Sequence, residues 1–171
     1  MSIQNLDSLM VKLDKLSEID MLRAAGRGIG IVQDASKYLC PVHDGELRGS
    51  IFTDVRMEQG KAVGICYTNK EYAIFVEFGT GPKGQENHAG ISPNITPSYT
   101  QKPWWIHESQ IDTRTAETYG WFYIDTPEGR FYRCSGQAAQ PFMYPALNDN
   151  KDKIIQEVRA YAKEAIRRAI R

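Results

Sequence analysis

Cysteine is scarce in this sequence: Cys40, Cys66 and Cys134 lie far apart, odd in number and with no C-x-x-C pair. Such a set argues against a disulfide framework and reads as reduced thiols in a product made inside a cell. Long apolar runs are missing too, since none approaches the roughly 18 residues that suggest a membrane span. The opening MSIQNLDSLMVKL has polar and acidic residues where a signal peptide needs a basic region and an apolar core. An excess of one charge is also lacking. Lys and Arg number 21 and Asp and Glu 21, which removes any general attraction to nucleic acid or to an anionic membrane. Internal repeats and low-complexity tracts are absent.

What is present suits one soluble α+β domain over residues 1–171. A chain of this length typically buries about 70% of its unfolded surface, enough for a true core. Ile3, Leu6, Leu9, Met10, Leu13 and Leu16 recur at threes and fours, predicting an amphipathic helix over residues 3–16. Asp20 can cap a second helix, with Met21, Ala25, Ile29, Val32, Ser36 and Leu39 on one stripe and Pro41 ending it. Gly26, Gly28 and Gly30 inside that helix each cost up to about 1 kcal/mol relative to Ala, so close approach of another backbone is expected there. After PVHDGEL, Ile51, Thr53 and Val55 alternate with Phe52 and Asp54. A turn near MEQGK then leads to Val63, Ile65 and Tyr67 on one face, predicting an antiparallel hairpin with one face buried.

YAIFVEFG (residues 72–79) is a short extended or helical piece that periodicity does not decide. From 81 to 118 the pattern dissolves into Gly, Pro, Ser, Asn and Thr, predicting a long extended arm anchored by Trp104 and Trp105. YGWFYIDTPEGRFYRCSG predicts a second hairpin over residues 120–135. Pro127 takes its first turn corner and Gly129 the position wanting a positive φ. Ile154, Val158, Tyr161, Ala162, Ala165, Ile166 and Ala169 form the stripe of a long C-terminal helix with Pro145 in its first turn. The predicted core thus combines residues 20–80 and 136–170, with the long helix against the small sheet.

Candidate chemistry is thin. GRGIG (26–30) has the wrong glycine spacing for a dinucleotide fingerprint and no preceding strand. GTGPKG (79–84) lacks the spacing and the Lys-Ser/Thr ending of a P-loop, and no obvious helix follows it. His88, His107 and Asp112 form the most plausible metal-dependent hydrolase set, with His43 also available, yet His107-Glu108 lacks the spacing that places two ligands on one helix face. The cysteines read as packing groups. Glu77, inside an apolar stretch, must pair, hydrogen-bond or face solvent; an ion pair with an arginine such as Arg48, or one across a subunit interface, would satisfy it. The aromatic hairpin and Trp121 raise a single-strand nucleic-acid module as a further alternative, although basic residues are few.

Three motifs occur in a telling order: CPVHDGELRGSI (40–51), YAIFVEFGT (72–80) and QPFMYPAL (140–147). In that order they resemble the lambdoid-phage gene-product-ten morphogenesis family, the tail-completion or head–tail joining proteins of tailed phages and prophages. The resemblance covers residues 21–80 and 136–170. VEFGT (76–80) and QPFMYPAL carry most of its weight, and Pro41, Gly45, Leu47, Arg48, Pro141, Phe142 and Pro145 are its structural motif residues. The family's turn reads Pro-x-Asp-Thr-Gly-x-Leu-Arg-x-Ser, whereas His43-Asp44-Gly45 stand here, with Asp44 still able to cap.

The resemblance implies a non-enzymatic virion protein of the neck or tail end, assembled in the host cytoplasm as a homo-oligomeric, hexameric ring. Its implied partners are copies of itself, head-completion or connector proteins, and tail terminator or tail tube proteins. Phage DNA would be passing cargo; no cofactor, metal or membrane is implied. Glu77, Phe78, Gly79, Thr80, Trp104, Trp105 and Trp121 are the interface candidates.

Overall fold

The computed structural model describes residues 10–11, 21–118 and 120–170, and its architecture is α+β. The helix expected over 3–16 and the cap at Asp20 lie outside the described residues, apart from Met10 and Val11. Two compact units emerge: the described residues up to Lys70 with those from Phe142 onward, and Glu71–Pro141. Part of residues 81–118 is built into the same sheet as the second hairpin.

In the first unit, helix α1 (Met21–Leu39) buries Ala24, Gly28, Val32 and Ser36 at a spacing of four. Met21 and Leu39, expected on the stripe, are 52% and 42% exposed, and Gly28 sits at its centre instead. Small residues there let two neighbours close in. A Cβ on Gly28 would stand 3.1 Å from Ile154 Cγ2. The approach of another backbone expected at the helix glycines is not found: Gly28 meets the side chains of Ile154 and Val158, Gly26 has only the Val55 side chain at 3.9 Å, and Gly30 has nothing within 4 Å.

Past Pro41, Asp44 Oδ1 accepts the Glu46 N–H at 2.9 Å and Gly45 turns at φ +85°, the cap foreseen for this variant turn. Helix α2 (Glu46–Gly49) buries Leu47, and Arg48 donates to the Cys40 carbonyl at 3.2 Å, tying the corner across its base. Strands β1 (Ile51–Glu58) and β2 (Lys61–Thr68) pair antiparallel around Gln59-Gly60, at φ +49° and +76°. Two positive φ values in a two-residue loop match the right-handed twist of the strands. The register places Ile51, Thr53 and Val55 with Thr68, Cys66 and Gly64 on one face, where α1 packs. Val63, Ile65 and Tyr67 do share a face, as their alternation predicts, but it is the outer one.

The long C-terminal helix resolves into two. Pro145 opens helix α6 (Tyr144–Asn148), and helix α7 (Lys151–Ile170) follows a short turn. Phe142 and Ala146 are completely buried. Helix α7 packs on α1 through Gly28, and Arg27 reaches Glu157 at 3.1 Å while lying over the Tyr161 ring. Of its expected stripe, Ile154, Val158, Tyr161, Ala162 and Ala165 are half-buried, whereas Ile166 is 39% exposed and the burial of Ala169 lies outside what is described.

In the second unit, YAIFVEFG is helical: helix α3 spans Ala73–Phe78 and helix α4 spans Gly81–Glu86. The expected arm therefore begins with a helix. Only residues 87–103 lack helix and strand before β3 (Trp104–His107), a 3-10 turn (Glu108–Gln110) and helix α5 (Thr113–Thr118). Strands β4 (Tyr123–Thr126) and β5 (Gly129–Cys134) form the second hairpin, and β3 joins it in the order β3-β5-β4, all antiparallel. Pro127 and Glu128 make the corner, and Gly129 takes φ +124°, as its sequence predicts.

Candidate interaction surfaces

Helix α3 inverts the expected burial. Six residues make fewer than two turns, so only positions four apart share a buried face, and these are Ala73 and Glu77. The carboxylate is inside at 6% exposure, while Ile74 and Phe75 stand at 56% and 54% in solvent. The apolar stretch Tyr72–Val76 is thus mostly outward, with Tyr72, Ile74 and Phe75 exposed and Val76 half-buried. Glu77 and Gly79, nominated as interface residues, are buried within the chain; Phe78 and Thr80 are half-buried beside them.

The Gly-rich piece after α3 is a backbone clasp. The Thr80 N–H donates to the Gln137 carbonyl at 2.9 Å, and the Gln137 N–H returns to the Thr80 carbonyl at 3.1 Å. The Lys83 N–H bonds the Ser135 carbonyl, the Gln140 N–H the Val76 carbonyl, and the Tyr99 hydroxyl the Phe78 carbonyl. A Cβ at Gly136 would fall 1.9 Å from the Thr80 carbonyl oxygen, and one at Gly79 2.7 Å from the Ala139 nitrogen. Gly81 is held by the Trp104 ring, which a Cβ there would meet at 2.8 Å. The N–H groups of residues 79, 80, 83 and 84 all bond inside the protein, and Pro82 has none. A phosphate cradle needs such groups to face outward, so this loop is not one. Chain crosses chain here at van der Waals contact.

The three-stranded sheet has one buried and one open face. Tyr132 and Cys134 are buried on the first, which Trp104 and Ile106 share by register. Trp105, Arg133, Phe122, Phe131 and Ile124 alternate onto the second. There the Trp105 and Phe122 rings lie 6.0 Å apart although the side chains are 45% and 63% exposed. In the first unit the outer face of the β1-β2 hairpin carries a similar exposed pair, Phe52 and Tyr67, also 6.0 Å apart.

A cavity of about 770 Å³ opens beside the β5 end, lined by Lys83, Trp121, Phe122, Arg133, Ser135 and Gln140 among others. Trp121, half-buried, forms part of its wall, so of the three nominated tryptophans Trp104 packs, Trp105 faces out and Trp121 lines a hollow. Sequence reasoning missed this cavity, because its walls come from three segments far apart in the chain.

The metal-site candidates are occupied elsewhere. His88 bonds the Gly84 carbonyl and stacks on Tyr99, while His107 bridges Ser109 and the Glu128 carbonyl. Asp112 accepts from Thr115 and from the Arg114 N–H at the start of α5, which lowers its carboxyl below the ordinary value. Among the described residues no three His, Cys, Asp or Glu side chains gather as a metal site. Burial raises the Cys40 and Cys66 thiols above their ordinary value. Among the described residues no helix is long and apolar enough to cross a membrane. No family model, curated protein or solved structure matches the chain.

Proposed function

We propose that this chain is a structural subunit of a tailed-phage or prophage neck, acting in tail completion and head–tail joining as a homo-oligomeric, hexameric ring. The observation that carries this reading is the inverted α3 helix, which buries its only charge and presents Ile74 and Phe75 to solvent. Large apolar side chains shown together in this way mark contact surfaces. The aromatic outer faces of both sheets support the same reading, as do the edges of β1, β2, β3 and β4 that pair with no further described strand. So does the order of the three resembling motifs, whose residues Cys40, Leu47, Ile51, Phe142 and Ala146 build the core of the first unit.

In this reading neighbouring copies cover some of these surfaces. Head-completion or connector proteins and tail terminator or tail tube proteins cover the rest. DNA passes as cargo, and a formal net charge of zero suits a wall that must not hold it. The hydrolase alternative draws little support from His88, His107 and Asp112, each engaged locally, and the nucleic-acid alternative little from a sheet face with Arg133 alone among the strong bases. The test is electron microscopy of particles from a phage lacking the gene. Filled heads beside unattached tails are expected; normally joined particles would refute the proposal.

A further inference from the structure

We infer that the cavity between α4, β5 and the 115–122 segment takes an acidic, extended peptide segment of a partner protein. Three observations carry this. Its volume of about 770 Å³ falls within the range of real ligand sites. Its charge is one-sided: Lys83 and Arg133 line it, and no Asp or Glu is among the described lining residues. Neither cation forms an ion pair with a described residue. In a chain with equal numbers of acids and bases, two unmatched cations around one hollow are a local complement for carboxylates.

The remaining walls distinguish a peptide from a nucleotide. Phosphate sites are usually built on outward backbone N–H groups. Here the Gly120 N–H bonds the Glu117 carbonyl, the Trp121 N–H the Ala116 carbonyl and the Gly136 N–H the Cys134 sulfur. The charge of the hollow is carried by two side chains, Lys83 and Arg133, and the guanidinium fork of Arg133 can match a carboxylate in two parallel bonds. Phe122 belongs both to the cavity and to the aromatic sheet face with Trp105. Arg133, Phe122 and Trp105 share one sheet face, so a segment whose acids meet Lys83 and Arg133 passes directly beside the two rings. The β4 edge beside them offers backbone groups for strand addition.

The inference rests on the assembly reading for who supplies the segment, and on the cavity for its chemistry. The test uses the full chain, labelled with nitrogen-15, and three probes: a blocked octapeptide alternating aspartate and leucine, its asparagine counterpart, and octathymidylate. The aspartate peptide is expected to saturate, shifting the Trp121 indole and the Arg133 and Lys83 amides. The asparagine counterpart and the double variant K83E/R133E should each bind at least roughly tenfold more weakly, with an unchanged circular dichroism spectrum. No binding overturns the inference, as do equal binding of the asparagine peptide, tighter binding of octathymidylate, or undiminished binding by the double variant. Any of these leaves the particle experiment standing, so the two readings fail separately.

Discussion

Replacing Gly136 by Ala tests whether the clasp holds the Glu71–Pro141 unit together. Gly136 lies at φ +79°, and an added Cβ would fall 1.9 Å from the Thr80 carbonyl oxygen and 2.4 Å from its carbon. Both are backbone atoms, so no side-chain rotation relieves the clash; the 79–81 strand must move. The left-handed conformation alone costs an L-residue about 1–2 kcal/mol. Moving Thr80 also loses the reciprocal Thr80–Gln137 pair, worth about 0.5–1.5 kcal/mol per hydrogen bond. The sum is roughly 2–5 kcal/mol, a large share of the stability of a typical domain. Gly120 supplies the control: it sits at φ +62° with nothing within 4 Å, so Gly120→Ala carries only the conformational cost of about 1–2 kcal/mol. All three tryptophans, Trp104, Trp105 and Trp121, lie in this unit, so urea unfolding followed by selectively excited tryptophan fluorescence reports on it. Hydrogen exchange at the Thr80 and Gln137 amides should accelerate in Gly136→Ala and not in Gly120→Ala. Equal destabilisation by the two variants, or a Gly136→Ala effect below about 0.5 kcal/mol, would refute the clasp.

Two further expectations concern the first unit. Gly64→Val should destabilise it by about 1–3 kcal/mol, because even a Cβ at Gly64 would stand 2.9 Å from Ile29 Cβ. Gly30→Ala, with open space around it, should instead stabilise by up to about 1 kcal/mol; thermal melts of both variants check the opposite signs. Burial lifts the folded Cys40 and Cys66 thiols above 9.0, so their contribution to stability is complete below that pH and is lost as pH rises through the folded values. Both should alkylate more slowly at pH 8 than the same residues in urea, read peptide by peptide in a mass spectrometer. Stability measured from pH 8 to 11 should fall, and a rise would contradict the sign.

Local signals carried most of the first unit into view. The Gln59-Gly60 turn, the stop at Pro41 and the Asp44 cap are decided within a few residues, and the chain obeys them. Helix α3 shows the limit. With six residues it is too short for a period to declare itself, and its burial is set by what packs on Ala73 and Glu77, not by which side chains are apolar. Helix α4 shows another: Gly81, Pro82 and Gly84 are poor helix formers, yet Thr80 and Lys83 are fixed by bonds to Gln137 and Ser135, so tertiary contacts override propensity. Strand β3 reads as arm because its partner, β5, lies some two dozen residues further on, and register between them leaves no mark on WWIH itself.

The same distance effect explains why GTGPKG looked like a site. A glycine-rich loop signals that something approaches the backbone closely, and sequence does not say whether that is a phosphate or another stretch of chain. Here it is chain: Thr80 meets Gln137, 57 positions away, so part of the VEFGT motif is clamped to the residues that lead into QPFMYPAL. Residues whose spacing is dictated by such a crossing carry architecture, and architecture alone does not specify function. What the protein touches must then be read from side chains that the fold leaves outside without internal need: Ile74 and Phe75 on α3, Trp105 and Phe122 on the sheet, and Lys83 and Arg133 at the cavity. None of these six belongs to the clasp through its side chain, so substituting them should alter binding and leave unfolding nearly unchanged.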